Sequence, residues 1–322
     1  MKIQIVTPDS STSTKGNFIT AKRWARICKR LGHRTRVCSA AGLQFDWNAD
    51  LLIALHAVKT SAAVGAFRDR FSNRPIVVVL TGTDVYSGRA AWRETARQTM
   101  EMADRLVTLQ DATSAALPAR LRLKTSIVMQ SVDYIPSVPA APLKRVFEVC
   151  VVGHLRKEKD PFRVAMAARM LPAESRIRVH HYGAALSDSF EREAMHLSDS
   201  ESRYHWFGQY PRWKTLQRIA RSNALVQPSR SEGGAGTLSE AIALGTPIIA
   251  SRIPGNVGIV GEKYPGLFEC GATRQLRDML WQFETNEGFR RDLSRAIKKL
   301  CERVSPQAEE EAIRALLESV CG

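Results

Sequence analysis

No two cysteines of this 322-residue chain stand in a CxxC spacing, and no DxD triplet occurs anywhere in it. The six cysteines (28, 38, 150, 270, 301 and 321) are scattered and the seven histidines dispersed, so neither set has the spacing of a metal site. No metal and no cofactor is expected. Unpaired thiols of this kind are the habit of reducing compartments, which points to the cytoplasm. No apolar run approaches the roughly 20 residues that span a bilayer, and Lys2 is the only basic residue before the first strand. A signal peptide, a membrane span and stable membrane association are therefore not expected. The first loop has a single glycine, Gly16, which excludes the three-glycine dinucleotide fingerprint. The chain also lacks a long basic tail and any ladder of aromatics between its arginines. Its formal charge of +15, from 47 basic and 32 acidic residues, thus does not read as a nucleic-acid surface. It suits capture of small phosphorylated molecules. No feature specifies an oligomeric state.

Apolar content of 44% and charged content of 25% describe an ordinary folded chain, and the length suits two domains. KIQIVTP reads as a strand, a polar loop follows, and apolar residues at Trp24, Ile27, Cys28 and Leu31 predict a helix over about 19–31 ended by Gly32. TRVCSA, DLLIALHA, PIVVVLTGTD, RLVTLQ and SIVMQ are further strands, with helices over about 61–71 and 91–104 between them. Near-continuous apolar strands alternating with helices predict a parallel sheet covered on both faces. Prolines 136, 139 and 142 then make an extended connector that neither a helix nor an inner strand tolerates. After it the pattern restarts with RVFEVCVVGHL. The reading is an α/β chain with two Rossmann-like α/β/α domains, 1–140 and 141–306, and a last helix, 307–322, that packs back on the first.

The chain is organised around Pro228 to Pro247, PSRSEGGAGTLSEAIALGTP. A strand enters it, a glycine loop follows, and Leu238, Ala241, Ile242 and Gly245 then recur at helical spacing. A glycine loop that opens a helix presents unpaired backbone N–H groups and the positive end of the helix dipole to an anion. Glu232 precedes the glycines and Glu240 lies eight residues on. Carboxylates accept from hydroxyls and N–H groups donate to phosphates, so this combination fits a ligand carrying both, a nucleotide sugar. Lys15, His56 and the Thr81–Asp84 turn fall at or beyond strand ends in the first half, where open α/β sheets bind ligands. His56 in that position also has a purely structural reading. The adjacent His180 and His181 are read as structural.

Two such halves with this loop resemble the GT-B glycosyltransferases, especially the large retaining group usually numbered four. That resemblance implies two parallel sheets facing across a cleft. It aligns the family's two spaced glutamates with Glu232 and Glu240, and its phosphate-clamping glycine and lysine with Gly153 and Lys159. His154 replaces the usual arginine, with Arg156 and Lys157 nearby. The donor set it implies is Gly153, His154, Arg156, Lys159, Glu232, Gly233, Gly234, Ala235, Gly236, Thr237 and Glu240.

KGNFITAKRWARICKRLGHRTRV, DLLIALHAVKTSAAV, RPIVVVLTGTDVY, IVMQSVDY and SRIPGNVGIVG together look like the selenosugar synthases of selenoneine biosynthesis. This narrower resemblance implies a UDP-sugar, notably UDP-N-acetylglucosamine, and selenophosphate as substrates. The products would be a 1-selenosugar, UDP and phosphate. Direct attack by selenium would invert the anomeric centre. Lys15, Gly16, Asn17, Thr20, Arg23, Thr81, Gly82 and Thr83 are then expected on the acceptor side, and His56, Asp84, Lys159 and Glu232 in catalysis. Two rival readings share the second-half residues: a conventional transferase using a hydroxyl acceptor, and a non-catalytic nucleotide-sugar-binding protein.

Overall fold

The computed structural model describes residues 1–8, 16–41, 43, 47–86, 90–132 and 146–321. Lys15 and the proline connector lie outside them. The chain divides into two compact units, one built from Met1–Gln130 with Pro306–Gly322, the other from Ser131–Ser305. Each is a six-stranded parallel sheet between helices, consistent with a GT-B fold.

The first unit's strands are β1 (Lys2–Thr7), β2 (Arg34–Ser39), β3 (Leu51–Leu55), β4 (Ile76–Leu80), β5 (Arg105–Thr108) and β6 (Thr125–Ile127). Its helices are α1 (Gly16–Arg30), α2 (Ser61–Arg70), α3 (Thr83–Tyr86), α4 (Ala90–Met102), α5 (Asp111–Ala116) and α6 (Ala119–Arg122). Strands β3 and β4 are buried along their whole length. Period-two geometry sends Leu51, Ile53, Leu55, Val77 and Val79 to one face and Leu52, Ala54, Ile76, Val78 and Leu80 to the other. The first set packs on Trp24 and Ile27 of α1, the second on Phe67 of α2 and Met100 of α4. Helix α1 stops where Gly32 takes φ +85°, with His33 N–H bonding back to the Cys28 carbonyl.

The second unit carries β7 (Phe147–Val152), β8 (Ile177–Tyr182), β9 (Tyr204–Trp206), β10 (Ala224–Gln227), β11 (Ile248–Arg252) and β12 (Leu267–Glu269). Its helices are α7 (Arg163–Arg169), α8 (Asp188–Ser200), α9 (Arg212–Arg221), α10 (Gly236–Ala243), α11 (Pro254–Val260), α12 (Thr273–Thr285) and α13 (Glu287–Lys298). The final helix, α14 (Pro306–Cys321), joins the first unit and adds Ile313, Leu316 and Leu317 to the core that holds Trp24.

Strand order differs between the two sheets. The second runs β12-β11-β10-β7-β8-β9, the Rossmann order, with its direction of winding reversing between β7 and β10. The first runs β2-β1-β3-β4-β5-β6, so its reversal falls between β1 and β3. Loops leaving the two strands beside such a reversal diverge and open a crevice at the strands' carboxyl ends. In the second unit these are the loops after β7 and β10, which hold Gly153–Lys159 and Pro228–Gly236. No helix among the described residues is long and apolar enough to cross a membrane.

Candidate functional site

The two loops beside the β7–β10 reversal are tied together. Backbone N–H groups of Arg230 and Ser231 donate to the Glu158 carbonyl, and Arg230 Nε lies 3.4 Å from Asp160 Oδ2. Asp160 holds a left-handed φ of +46° and also accepts from Arg163. At the centre, Lys159 Nζ donates to Glu232 Oε1 at 2.6 Å. The same oxygen accepts from Gln227 Nε2 at 2.8 Å and Ser229 Oγ at 2.6 Å. The lysine stem runs against Gly153, where a Cβ would stand 3.4 Å from Lys159 Cδ.

Helix α10 opens at Gly236 with no side-chain cap from Ala235. Its first N–H groups therefore face the loop of Gly233 and Gly234 without a side-chain acceptor, the arrangement that takes an anion. Thr237 is not a hydroxyl donor toward that mouth, because Oγ1 gives its proton to Gln227 Oε1. Glu240 accepts from Arg212 Nε at 3.1 Å. Arg156 is exposed, and its guanidinium makes no bond among the described residues. His154 Nδ1 accepts from the Ala184 N–H. The crevice floor is held from behind by His181, which is buried. Its Nε2 lies 3.2 Å from the Gly153 carbonyl and its Nδ1 2.9 Å from Tyr204 Oη. The carbonyl can only accept, so the proton sits on Nε2. Burial pushes the His181 imidazole down to about 4, against the Gly153 bond, which raises it. Neighbouring His180 instead faces Glu148, whose carboxyl burial would raise but which His180 and Ser222 hold below its ordinary range.

In the first unit, His56 ends β3 in a left-handed conformation, φ +79°. A non-glycine residue there is strained and needs its surroundings to hold it. Asp84 does so. Its carboxylate accepts from the backbone N–H groups of Ala57, Thr81 and Gly82, closing the β3 and β4 loops onto each other. His56 Nδ1 accepts from the Val58 and Lys59 N–H groups, which leaves the proton on Nε2 for Thr83 Oγ1 at 3.0 Å. Trp92 packs edge-on against the ring. Within the Thr81–Asp84 segment, Thr81 and Gly82 lead into a short helix that begins at Thr83.

Several expected roles meet different surroundings. Arg23, expected beside an acceptor, is buried, and its Nε donates to both oxygens of Glu309 on α14. That pairing directs it into the helix packing. Thr20 is likewise buried in α1, whereas Gly16 and Asn17 stand at the helix start. Asp84 is saturated by backbone donors, which argues against its use in proton transfer. Sequence reasoning passed over Gln227, Ser229 and Arg212. A polar residue closing the apolar run ALVQ just before the glycine loop was the available signal for Gln227.

The family model described as Glycosyl transferases group 1 matches residues 140–300. Over 114 residues the chain is 31% identical to Glycosyltransferase 1 domain-containing protein 1 of Xenopus tropicalis. That alignment takes in 35% of this chain and 33% of the relative, so the chain spans about a third of the curated relative it matches. Among solved structures it is similar to Anabaena Alr3699/HepE in complex with UDP and glucose, with a TM-score of 0.79 at 16% identity, over 99% of this chain and 100% of that one. It is also similar to sucrose-phosphate synthase from Thermosynechococcus elongatus, with a TM-score of 0.83 at 15% identity, over 99% of each chain. Likeness at that identity shows the fold.

The expected selenosugar synthesis is corrected by these findings. The matched model is that of the general transferase family, and the neighbours' descriptions name UDP, glucose and sucrose-phosphate synthesis, with no selenium substrate among them. Selenophosphate as acceptor is withdrawn, and with it the inversion that rested on attack by selenium. The match of the family model over half of the chain carries the assignment that remains: the protein belongs to the glycosyl transferases group 1.

Proposed function

We propose that this protein transfers a hexosyl or N-acetylhexosaminyl group from a UDP-sugar to a hydroxyl acceptor. One observation carries the reading: Lys159 and Glu232, from the two loops at the β7–β10 reversal, meet at 2.6 Å beside the uncapped start of α10. Cation, carboxylate and free N–H groups in one crevice match the three chemical parts of a nucleotide sugar. A neighbour at 16% identity whose description names UDP and glucose supports the choice of ligand.

In this reading the diphosphate lies at the mouth of α10, against backbone N–H groups, with Arg156 and Lys159 neutralising charge as it departs. Glu232 accepts from sugar hydroxyls through Oε2. Glu240 accepts from ribose hydroxyls, with Arg212 beside it. The bond from C1 to the diphosphate oxygen breaks, a bond from C1 to the acceptor oxygen forms, and the hydroxyl proton leaves with the UDP. In the first unit, His56 Nε2–H is held on Thr83 Oγ1, which leaves the Thr83 hydroxyl proton to be donated to another oxygen.

Calorimetric titration with UDP, followed by mass-spectrometric detection of UDP release from UDP-glucose and UDP-N-acetylglucosamine over a panel of sugar acceptors, tests the proposal. Saturable UDP binding and acceptor-dependent UDP release are expected. A chain that binds no UDP overturns the reading; one that binds UDP and never releases it from either donor reduces the protein to a binding module.

A further inference from the structure

We propose that Gln227 is a positioning residue of the donor site: its amide determines which oxygen of Glu232 is held inside the protein and which is left for the sugar. The proposal rests on the donor reading given above.

Gln227 is the last residue of β10 and is 1% exposed. An amide buried that deeply must find partners for its donors and its acceptor. It finds three. Nε2 donates to Ser229 Oγ at 3.0 Å and to Glu232 Oε1 at 2.8 Å, and Oε1 accepts from Thr237 Oγ1 at 3.1 Å. Ser229, fully buried, accepts from the amide and so turns its own proton onto Glu232 Oε1. With Lys159 added, that oxygen takes three hydrogen bonds, whereas Oε2 takes none among the described residues. The carboxylate is therefore one-sided. Its orientation is fixed by Oε1, and the lone pairs of Oε2 stay available to accept from a hydroxyl.

The same amide sets proton direction at the phosphate end. Because Thr237 donates to Gln227, the threonine oxygen offers only lone pairs to the crevice, and an anion there must rely on backbone N–H groups. One side chain thus links the sugar-facing carboxylate to the first turn of α10. The chemistry is specific to glutamine. Methionine has the length without donors, asparagine is one methylene short, and glutamate places a second carboxylate against Glu232.

Gln227→Met and Gln227→Glu are the test, assayed for UDP affinity and for steady-state turnover of a UDP-sugar between pH 5 and 8. Loss of a hydrogen bond to a charged group predicts a fall in kcat of about 10–100-fold for Gln227→Met, with UDP affinity changed by less than about threefold. For Gln227→Glu, turnover at neutral pH falls as far or further and recovers as pH is lowered. Protonation gives the new carboxyl an O–H that again donates to Glu232. Wild type and Gln227→Met lack that acid-side recovery. A residue acting only in folding would instead lower activity in step with the folded fraction, read by circular dichroism, at every pH. Unchanged kcat and KM in Gln227→Met, or a Gln227→Glu profile parallel to wild type, overturns the proposal alone. A wild-type chain that neither binds UDP nor consumes a UDP-sugar overturns the donor reading and this proposal together.

Discussion

Lys159 Nζ rests 2.6 Å from Glu232 Oε1 across a sequence separation of 73 residues. The contact exists because β7 and β10 are neighbours in the second sheet and their loops leave on either side of the winding reversal. Both side chains are mostly shielded from water, at 17% and 9% exposure, so the pair is held in one geometry. On the proposed reading, Lys159→Ala removes a cation that neutralises the leaving diphosphate. Its kcat is expected to fall about 100- to 1,000-fold, the scale of a lost transition-state donor. Steady-state kinetics with a UDP-sugar and circular dichroism measure this; retained kcat in a folded variant places the lysine outside the reaction.

Much of that site was legible beforehand, for a physical reason. The glycine loop, the switch of periodicity after it and the two glutamates are local features, and local features are written in consecutive residues. Strand order is not. Nothing in the spacing of apolar residues distinguishes a reversal between β1 and β3 from one between β7 and β10. Partners from distant segments were equally hidden: Arg23 looked like a free cation near the first loop until Glu309 came to meet it. Gln227 read as the end of an apolar strand, and its role became visible only when Thr237, Ser229 and Glu232 were seen around it. Acceptor chemistry was least legible, because hydroxyl-bearing and phosphorylated acceptors call for similar polar residues at strand ends.

Arg23 and Glu309 form a buried ion pair at 2.8 Å, with Trp24 Nε1 donating to the same carboxylate at 2.9 Å. The pair fastens α14 to α1. Removing one partner leaves the other charged and out of water, so Glu309→Ala is expected to destabilise the first unit by about 3–5 kcal/mol. The apolar pair Arg23→Met with Glu309→Leu should recover part of that loss, since it removes both charges but leaves the buried Trp24 indole N–H without its acceptor. Urea unfolding followed by tryptophan fluorescence reports on it directly. Equal stability of the wild type and Glu309→Ala would mean that α14 is held by Ile313, Leu316 and Leu317 alone.

Gly255, in the first turn of α11, lies so close to the Glu232 loop that a Cβ there would run into the Glu232 carbonyl oxygen. Backbone cannot yield as a side chain does, and relief requires Glu232 itself to move. Gly255→Ala is expected to cost about 1–3 kcal/mol, as overpacked sites do. It should lower kcat by about tenfold or more through misplacement of the carboxylate. Gly65, in α2 with open space where its Cβ would go, is the control. Gly65→Ala is expected to stabilise by about 0.5–1 kcal/mol with unaltered turnover. A Gly255→Ala variant as active as the Gly65 control would show that Glu232 tolerates displacement.

Burial holds His181 neutral, with its imidazole at about 4 against an ordinary 6.5, while it spans the Gly153 carbonyl and the Tyr204 hydroxyl. The unfolded chain binds a proton at this residue more readily than the folded one. The stabilisation is therefore complete above pH 6.5 and is lost progressively as pH falls from 6.5 through about 4. A difference of that size is worth about 3 kcal/mol. His181→Gln keeps an amide donor for the Gly153 carbonyl and cannot titrate. It should be less stable than the wild type at pH 7.5, and the gap should narrow by pH 4.5. Glu148, held below its ordinary range of 4.5, contributes its own loss at lower pH and does so in both proteins, so the difference between the two curves isolates the histidine. Urea unfolding at half-unit steps of pH supplies those curves. Parallel curves would mean that His181 carries its proton in the folded state or that water reaches it, and either would remove it as the fixed support beneath Gly153.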